Sequence, residues 1–386
     1  MDISERDLLN AREGSIDEIL SENVPLAPLT TIGVGGNARF FRRAESVDDV
    51  IEGLEWARMN DVPVFVMSGG SNLLISDRGF PGLVIQIALK GITILSEDAK
   101  VMVRVASGEE WDPFVAFCVD RGYAGVECLS GIPGSIGATP IQNVGAYGQD
   151  VSETIVRVEA WDRKERKTVT LSSEECHFGY RQSRFKNEEP DRFVILSVDY
   201  ALMPDGSPAV RYPDLEKYLA GRNIGKPTLG DVREATREVR RRKGMVIDPA
   251  DPDTKSCGSF FMNPILGEEA HRTWIERARK LVGSDERIPS FPGGEGKIKL
   301  SAAWLIEHSG FQKGFTLGRA GISTKHTLAV VNRGGATAEE ILALVRMVQD
   351  KVRERFAVEI HPEPNMIGFD ETSNRNSEFK MKNHEE

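Results

Sequence analysis

Long apolar runs are missing from this sequence. No stretch approaches the roughly 20 residues that would cross a bilayer as a helix. The opening "MDISERDLLNAREGSIDEIL" is charged and carries no apolar h-region, so neither a signal peptide nor a membrane partner is expected. Cysteine is scarce: Cys118, Cys128, Cys176 and Cys257 show no CxxC spacing and no clustering with histidine. A disulfide framework or zinc site is therefore not expected, and reduced thiols in a cytoplasm fit best. The six histidines form no HxxxH pair, and no metal is expected. Positive charge is in deficit, with 49 Lys and Arg against 59 Asp and Glu, net -10. That argues against a general nucleic-acid or anionic-membrane binder and leaves room only for a local basic patch. Walker A and the Rossmann GxGxxG are both absent.

What is present is glycine, 37 residues of it in a chain of 386, a length that suggests two or three domains. It is concentrated in two places: "SGGSN" (Ser68 to Asn72), between two strand-like runs, and "LSGIPGSIGATPIQNVGAYGQD", from Leu129 to Asp150. Ordering so much bare backbone is entropically costly. A close-packed turn system or a ligand that needs backbone N–H groups would offset it. Consecutive N–H groups in such turns form concave anion sites. Either loop alone is as well explained by a tight turn; the pair, in one strand-rich region, favours a dinucleotide cradle.

Periodicity fills in the rest. "AESVDDVIEGLEWARMNDVP" has Val47, Val50, Ile51, Leu54 and Ala57 at helical spacing, with Ser46 as N-cap and Asp49 three residues on, and "EEWDPFVAFCVDRGY" reads as a second helix. "LVIQIAL", "GITILSE" and "VMVRVAS" read as strands, and "TIVRVEAWDR" with "KTVTLSS" as a hairpin. From Thr228 the pattern turns helical in "TLGDVREATREVRRRKG". A proline- and glycine-rich loop region is expected to about Lys297, then a helix from Ser301 to His308. "GATAEEILALVRMVQDKVRERF" is an amphipathic helix with Ile341, Val345, Val348 and Val352 on one face and a Thr337/Glu340 capping box. The fold class is α+β. An N-terminal extension (1–25) and a polar tail (370–386) are expected to be disordered or loosely packed.

Seven segments occur in a fixed order: "TTIGVGGNARFF", "SGGSNLLISD", "GIPGSIGATPIQNVGAYGQDV", "FGYRQSRFK", "CGSFFMNP", "KLSAAWLIE" and "HPEPNMIG". Together, from about Leu26 to Gly368, they make the chain similar to the MurB family of UDP-N-acetylenolpyruvoylglucosamine reductases. The resemblance implies a PCMH-type (vanillyl-alcohol-oxidase-like) FAD-binding domain of two subdomains over 26–210. A C-terminal α+β substrate-binding domain would follow over 211–369. It implies noncovalent FAD, since "SGGSN" holds no histidine or cysteine tether. NADPH would be the reductant, UDP-N-acetylglucosamine enolpyruvate the substrate, and a monomer the expected state.

By the same resemblance, Ser68, Gly69, Gly70, Ser71, Asn72, Gly131, Pro133, Gly134, Gly137, Ala138, Gly145 and Ala146 hold the flavin. Arg181 and Glu363 stabilise an enolate, and Ser259 delivers a proton. Tyr212, Arg240, Lys243, Asn263 and Lys299 face the substrate. Read without the family, Arg181 is a surface arginine, Glu363 a turn carboxylate, Ser259 a turn serine and Tyr212 a turn residue beside Pro213. Arg241 and Arg242 form a solvated charged face. Cys257, two residues before Ser259, reads as a small buried residue or a reactive thiol. The segment from Pro264 to Lys297 does not align with the family, and no role is assigned there. The competing classes are an oxygen-reactive flavin oxidase and a nucleotide-sugar-binding protein without turnover; an RNA-binding reading of "RRRK" is the weakest.

Overall fold

The computed structural model describes residues 20–369. The polar tail and most of the N-terminal extension lie outside them. The described chain forms two compact units. One comprises the chain up to Pro25, Asn37–Gly70 and Phe80–Arg242; the other comprises Leu26–Gly36, Ser71–Gly79 and the chain from Lys243 onward. This corrects the expected linear division at residues 210 and 211, and packing supplies the reason. Ile32, Val34 and Leu74 are buried in the core of the second unit. The helix Leu229–Arg242 (residues expected to open the C-terminal domain) buries Val232, Ala235 and Val239 against Leu215, Leu219 and Cys128 of the first.

The first unit holds two large sheets besides the two-stranded pair of Gly145–Ala146 and Gln149–Asp150. In the smaller one the strand order is Ser21–Pro25, Asn37–Ala44, Phe80–Ile87, Val64–Met67. Asn37–Ala44 and Val64–Met67 both run parallel to Phe80–Ile87, which requires a crossover, and the helix Val47–Met59 supplies it. That helix starts in the expected capping box of Ser46 and Asp49. The first strand pairs antiparallel with Asn37–Ala44, so residues 21–25 belong to the sheet and not to a loose extension.

The larger sheet is antiparallel, in the order Lys167–Ser172, Ile155–Asp162, Phe193–Pro204, Val101–Ala106, Ile92–Glu97. Its central strand is buried on both faces. Ile195, Val198, Tyr200 and Leu202 pack with the helix Trp111–Asp120, while Val194 and Leu196 join Leu83 and Ile85 of the smaller sheet. The strand is hydrogen-bonded within the larger sheet, and its second face packs on the smaller one.

In the second unit the helix Ala338–Phe356 begins at the expected Thr337/Glu340 capping box. Ile341, Val345, Val348 and Val352 are fully buried, each worth about 1.5–3 kcal/mol of hydrophobic transfer. Leu73–Ile75 pairs in parallel with Asn365–Ile367, so the strand that leaves the first glycine turn and the strand that closes the chain lie side by side.

Two helices differ from expectation. Glu268–Val282 falls inside the expected loop region. Only Trp274 and Ala278 of its 15 residues are buried, so its apolar signal is thin. The end signals are clear in retrospect: Glu268 and Glu269 in the first turn, Arg279 and Lys280 in the last, and Gly283 beyond. Pro213–Gly221 is the other, with Pro213 at the first helical position, where a missing N–H costs nothing, and Tyr212 at the N-cap.

Candidate active site

The two glycine segments meet. A Cβ on Gly69 would stand 2.8 Å from the Cα of Gly134 and 3.2 Å from the nitrogen of Ser135, so the turns pack backbone to backbone. The Ser68 and Ser135 hydroxyls are hydrogen-bonded across the junction. Gly70, Gly131 and Gly134 have φ of +66°, +73° and +118°, a region that side chains disfavour.

Residues 107–111 stitch the second turn in place. Gly137 N–H donates to the Ser107 carbonyl at 2.8 Å, Ile136 N–H to Glu109 at 2.9 Å, and Trp111 N–H to Gly134 at 3.0 Å. A Cβ on Gly137 would be 2.8 Å from that of Ser107. The Ser107 hydroxyl, on a residue 1% exposed, has no hydrogen-bond partner among the described residues. Two apposed turns that meet at glycines and a buried unpartnered hydroxyl suit the diphosphate and polar ring edge of a flavin dinucleotide.

Ala138 opens the short helix Ala138–Gln142, which ends at Asn143 with φ of +39°. Gly145 and Ala146 then pair with Asp150 and Gln149, and Tyr147 and Gly148 form the turn, both with positive φ as in a type I′ hairpin. Arg181 holds the approach to this hairpin. Its guanidinium donates to the carbonyl of Gly145 at 2.7 Å and of Asn143 at 3.3 Å. It sits in the tight turn closed by Gly179 and Gln182, with φ of +56°, a conformation rare outside glycine. Ten other described non-glycine residues share this region, Asn143 and Tyr147 of the neighbouring segment among them, so the φ marks the tight turn itself.

The Tyr147 ring meets Tyr212 edge to face, with centroids 5.3 Å apart. Arg240 is buried in the same unit. Burial pulls its pKa down; the Tyr147 and Asp112 charges oppose that, and the like charge of Arg181 adds to it. Of the basic run, only Arg240 is buried: Arg241 and Arg242 are exposed and pair with Glu238.

Asp112, which the sequence did not single out, links this region to the cradle. Its carboxylate takes the Gly131 N–H at 2.6 Å and both terminal nitrogens of Arg233 at 2.6 and 3.0 Å. Burial alone would raise its pKa, but the Arg233 and Gly131 hydrogen bonds outweigh that and hold it below the usual carboxylate range. Asp112 lies in the first turn of a helix and Arg233 on the amphipathic Leu229–Arg242 helix, but nothing in their spacing pairs them.

In the second unit, Ser259 and Glu363 belong to neighbouring segments. Glu363 N–H donates to the Phe260 carbonyl at 2.9 Å, Met262 N–H to His361 at 2.9 Å, and Phe260 N–H to Leu328 at 2.7 Å. Fully buried Phe260 and Phe261 anchor the serine turn, and both Ser259 and Glu363 are half-buried. Asn72 reaches the same place: its amide donates to the Glu363 carbonyl at 3.3 Å and its own carbonyl accepts from Asn365 N–H at 3.0 Å. The Ser71 carbonyl accepts from Thr31 Oγ1, which also donates to Ser256.

Cys257 is buried and its thiol donates to the Leu73 carbonyl; burial pushes its pKa up to about 12. The buried-residue reading is the one the geometry favours. Asn263 Oδ1 accepts from Ala302 N–H at 2.9 Å, at the start of the Ala302–Glu307 helix. Lys299 lies on the middle strand of a three-stranded sheet, opposite Ile265 and Phe291, and Lys243 precedes Gly244 at φ +66°. Pro133 is half-buried within the second glycine turn. Among the described residues no cluster of His, Cys, Asp and Glu suits a metal, and no helix is long and apolar enough to cross a membrane.

Comparison with known proteins agrees with this geometry. Residues 38–172 match the FAD binding domain family. Fold and apposed glycine turns together define an FAD-binding oxidoreductase. Residues 248–367 match the C-terminal domain of UDP-N-acetylenolpyruvoylglucosamine reductase. Reductases of that name from Thermobifida fusca and Streptomyces avermitilis are 48% and 47% identical over 350 residues, covering 90% of this chain and 98% and 95% of theirs. The crystal structure of the Thermus caldophilus enzyme aligns over 89% of this chain and 97% of its own, with a TM-score of 0.59 at 26% identity. The chain belongs to the UDP-N-acetylenolpyruvoylglucosamine reductase family.

Proposed function

We propose that this protein reduces the enolpyruvyl ether of UDP-N-acetylglucosamine enolpyruvate to the lactyl ether of UDP-N-acetylmuramate, a step in peptidoglycan precursor synthesis, with NADPH as reductant. The observation that carries the reading is the pairing of the Ser259 and Glu363 segments through Phe260, with Asn72 of the glycine loop on the far side of Glu363. FAD, held noncovalently by the two glycine turns, supplies hydride transfer from NADPH to the substrate.

The residues do the remaining work. Hydride arrival at C3 converts the C=C bond to a single bond and leaves an electron pair spread over C2 and the carboxylate. Arg181 and Glu363 stabilise that enolate, the first as a cation and the second through its carboxyl group. Ser259 gives its hydroxyl proton to C2 and is reprotonated from solvent. A serine hydroxyl is a weak acid, adequate only because a carbanionic carbon is the acceptor. Tyr212 packs on the uridine or sugar with its hydroxyl toward phosphate. Arg240, Lys243, Asn263 and Lys299 complete recognition of the diphosphate and carboxylate.

Anaerobic titration tests the reading. NADPH should bleach the flavin, and UDP-N-acetylglucosamine enolpyruvate should then restore its colour without oxygen. Bleaching without recovery would move the protein to another substrate; failure to bind flavin at all would remove the cradle.

A further inference from the structure

Glu127 is 1% exposed, yet no arginine or lysine is among its hydrogen-bond partners in the described residues. A buried carboxylate is retained only where hydrogen bonds compensate the lost hydration. Three neutral donors do so: Gly125 N–H at 2.8 Å on one oxygen, and Ala209 N–H at 2.8 Å with Gln149 Nε2 at 3.2 Å on the other.

These donors come from separated segments, and two of them lead to the tyrosines. Gln149 is in the hairpin turned by Tyr147 and Gly148, and its side-chain Oε1 accepts from Cys128 N–H at 2.9 Å. Ala209 stands three residues before Tyr212, in a stretch from Gly206 to Arg211 without regular structure. The Ala209 carbonyl is held as well, by the Cys128 thiol at 2.9 Å. At the exposed end of the stretch Arg211 reaches the Gly148 carbonyl and Glu153, both at 3.1 Å.

We propose that Glu127 is a positioning residue for Tyr212. By binding Ala209 and Gln149 through one oxygen, its carboxylate fixes residues 209–212 against the Tyr147 hairpin, so that Tyr212 meets Tyr147 edge to face and is set for substrate. The proposal rests on the substrate role given to Tyr212 above. Arg211 alone is a surface contact and holds weakly; Glu127 is the buried pin.

The test is Glu127→Gln in the flavin-loaded full-length protein. A glutamine offers one acceptor oxygen where the carboxylate offers two, so one set of donors loses its partner in a site closed to water. Trypsin cleavage after Arg211 in the substrate-free protein should quicken about fivefold or more, and KM for UDP-N-acetylglucosamine enolpyruvate should rise about tenfold. Flavin reduction by NADPH should stay within twofold. In a Tyr212→Ala background the KM effect of Glu127→Gln should vanish, because the two act as one unit. Effects that multiply, an unchanged KM, or equal losses in flavin reduction and KM would each overturn the proposal. If Tyr212→Ala alone left KM unchanged, the substrate role of Tyr212 would fall and this function of Glu127 with it. Cleavage after Arg211 would then still report whether Glu127 anchors the segment.

Discussion

The proposed flavin cradle and the proposed Ser259–Glu363 pair would solve opposite problems. The cradle is made of backbone, and it works because side chains are missing: a Cβ at Gly69 or Gly137 would lie 2.8 Å from its neighbour. The Ser259 region is made of side chains on an ordinary hydrogen-bonded ladder, from Phe260 and Met262 to Glu363 and His361. In the first, any addition disrupts geometry. In the second, a deletion leaves geometry intact and removes chemistry. Substitutions should therefore separate binding from turnover.

The largest effect is expected at Ser259. Ser259→Ala keeps the Phe260–Glu363 backbone bond, so flavin content, melting temperature and bleaching by NADPH should match the parent. Reoxidation by the enolpyruvyl substrate should slow about 10²–10⁴-fold, the usual range for loss of a proton donor. Stopped-flow absorbance separates the two half-reactions, and undiminished reoxidation would take Ser259 out of the mechanism. Gly69→Ala should do the reverse with a smaller effect. Relieving a 2.8 Å approach to backbone costs about 1–3 kcal/mol. FAD affinity, measured by reconstituting apoprotein, should fall about 10–100-fold. If both variants lost flavin alike, the contrast between the two regions would be false.

The same contrast governs what could be read from the sequence. Glycine announces bare backbone, so both turns were legible, and their meeting was suggested by their pairing in one strand-rich region. Helices with wide apolar faces were legible too: Ser46/Asp49 and Thr337/Glu340 cap theirs as expected. Glu268–Val282 was not, because two buried residues in a dense run of charge give little periodicity.

The discontinuous units were invisible for a topological reason. Nothing local to "TTIGVGG" or "SNLLIS" says that Ile32, Val34 and Leu74 join a core built some 200 residues later. Asp112, Arg233 and Glu127 escaped because long-range hydrogen bonds decide their roles. Arg181, Ser259 and Glu363 look like surface or turn residues in isolation, and family resemblance alone singled them out.

The smallest effect is expected two residues from Ser259. Cys257 lies beside the candidate proton donor, yet it belongs to the packing, with Phe260 and Leu74 in the same cluster. Burial raises its pKa to about 12. An ordinary thiol with a pKa near 8.5 is roughly one-quarter thiolate at pH 8, whereas one near 12 is about 10⁻⁴ thiolate. Iodoacetamide should therefore label Cys257 at pH 8 at least about 10³-fold more slowly in the native protein than in urea. Raising the pH to 9 should speed native labelling about tenfold, because the thiolate fraction far below the pKa rises tenfold per pH unit, whereas an ordinary thiol gains only about threefold. Mass spectrometry of the Cys257 peptide reads the result directly. Rapid native labelling that substrate prevents would make Cys257 part of the site and would show that the ladder carrying Ser259 is open to solvent, against the contrast drawn here.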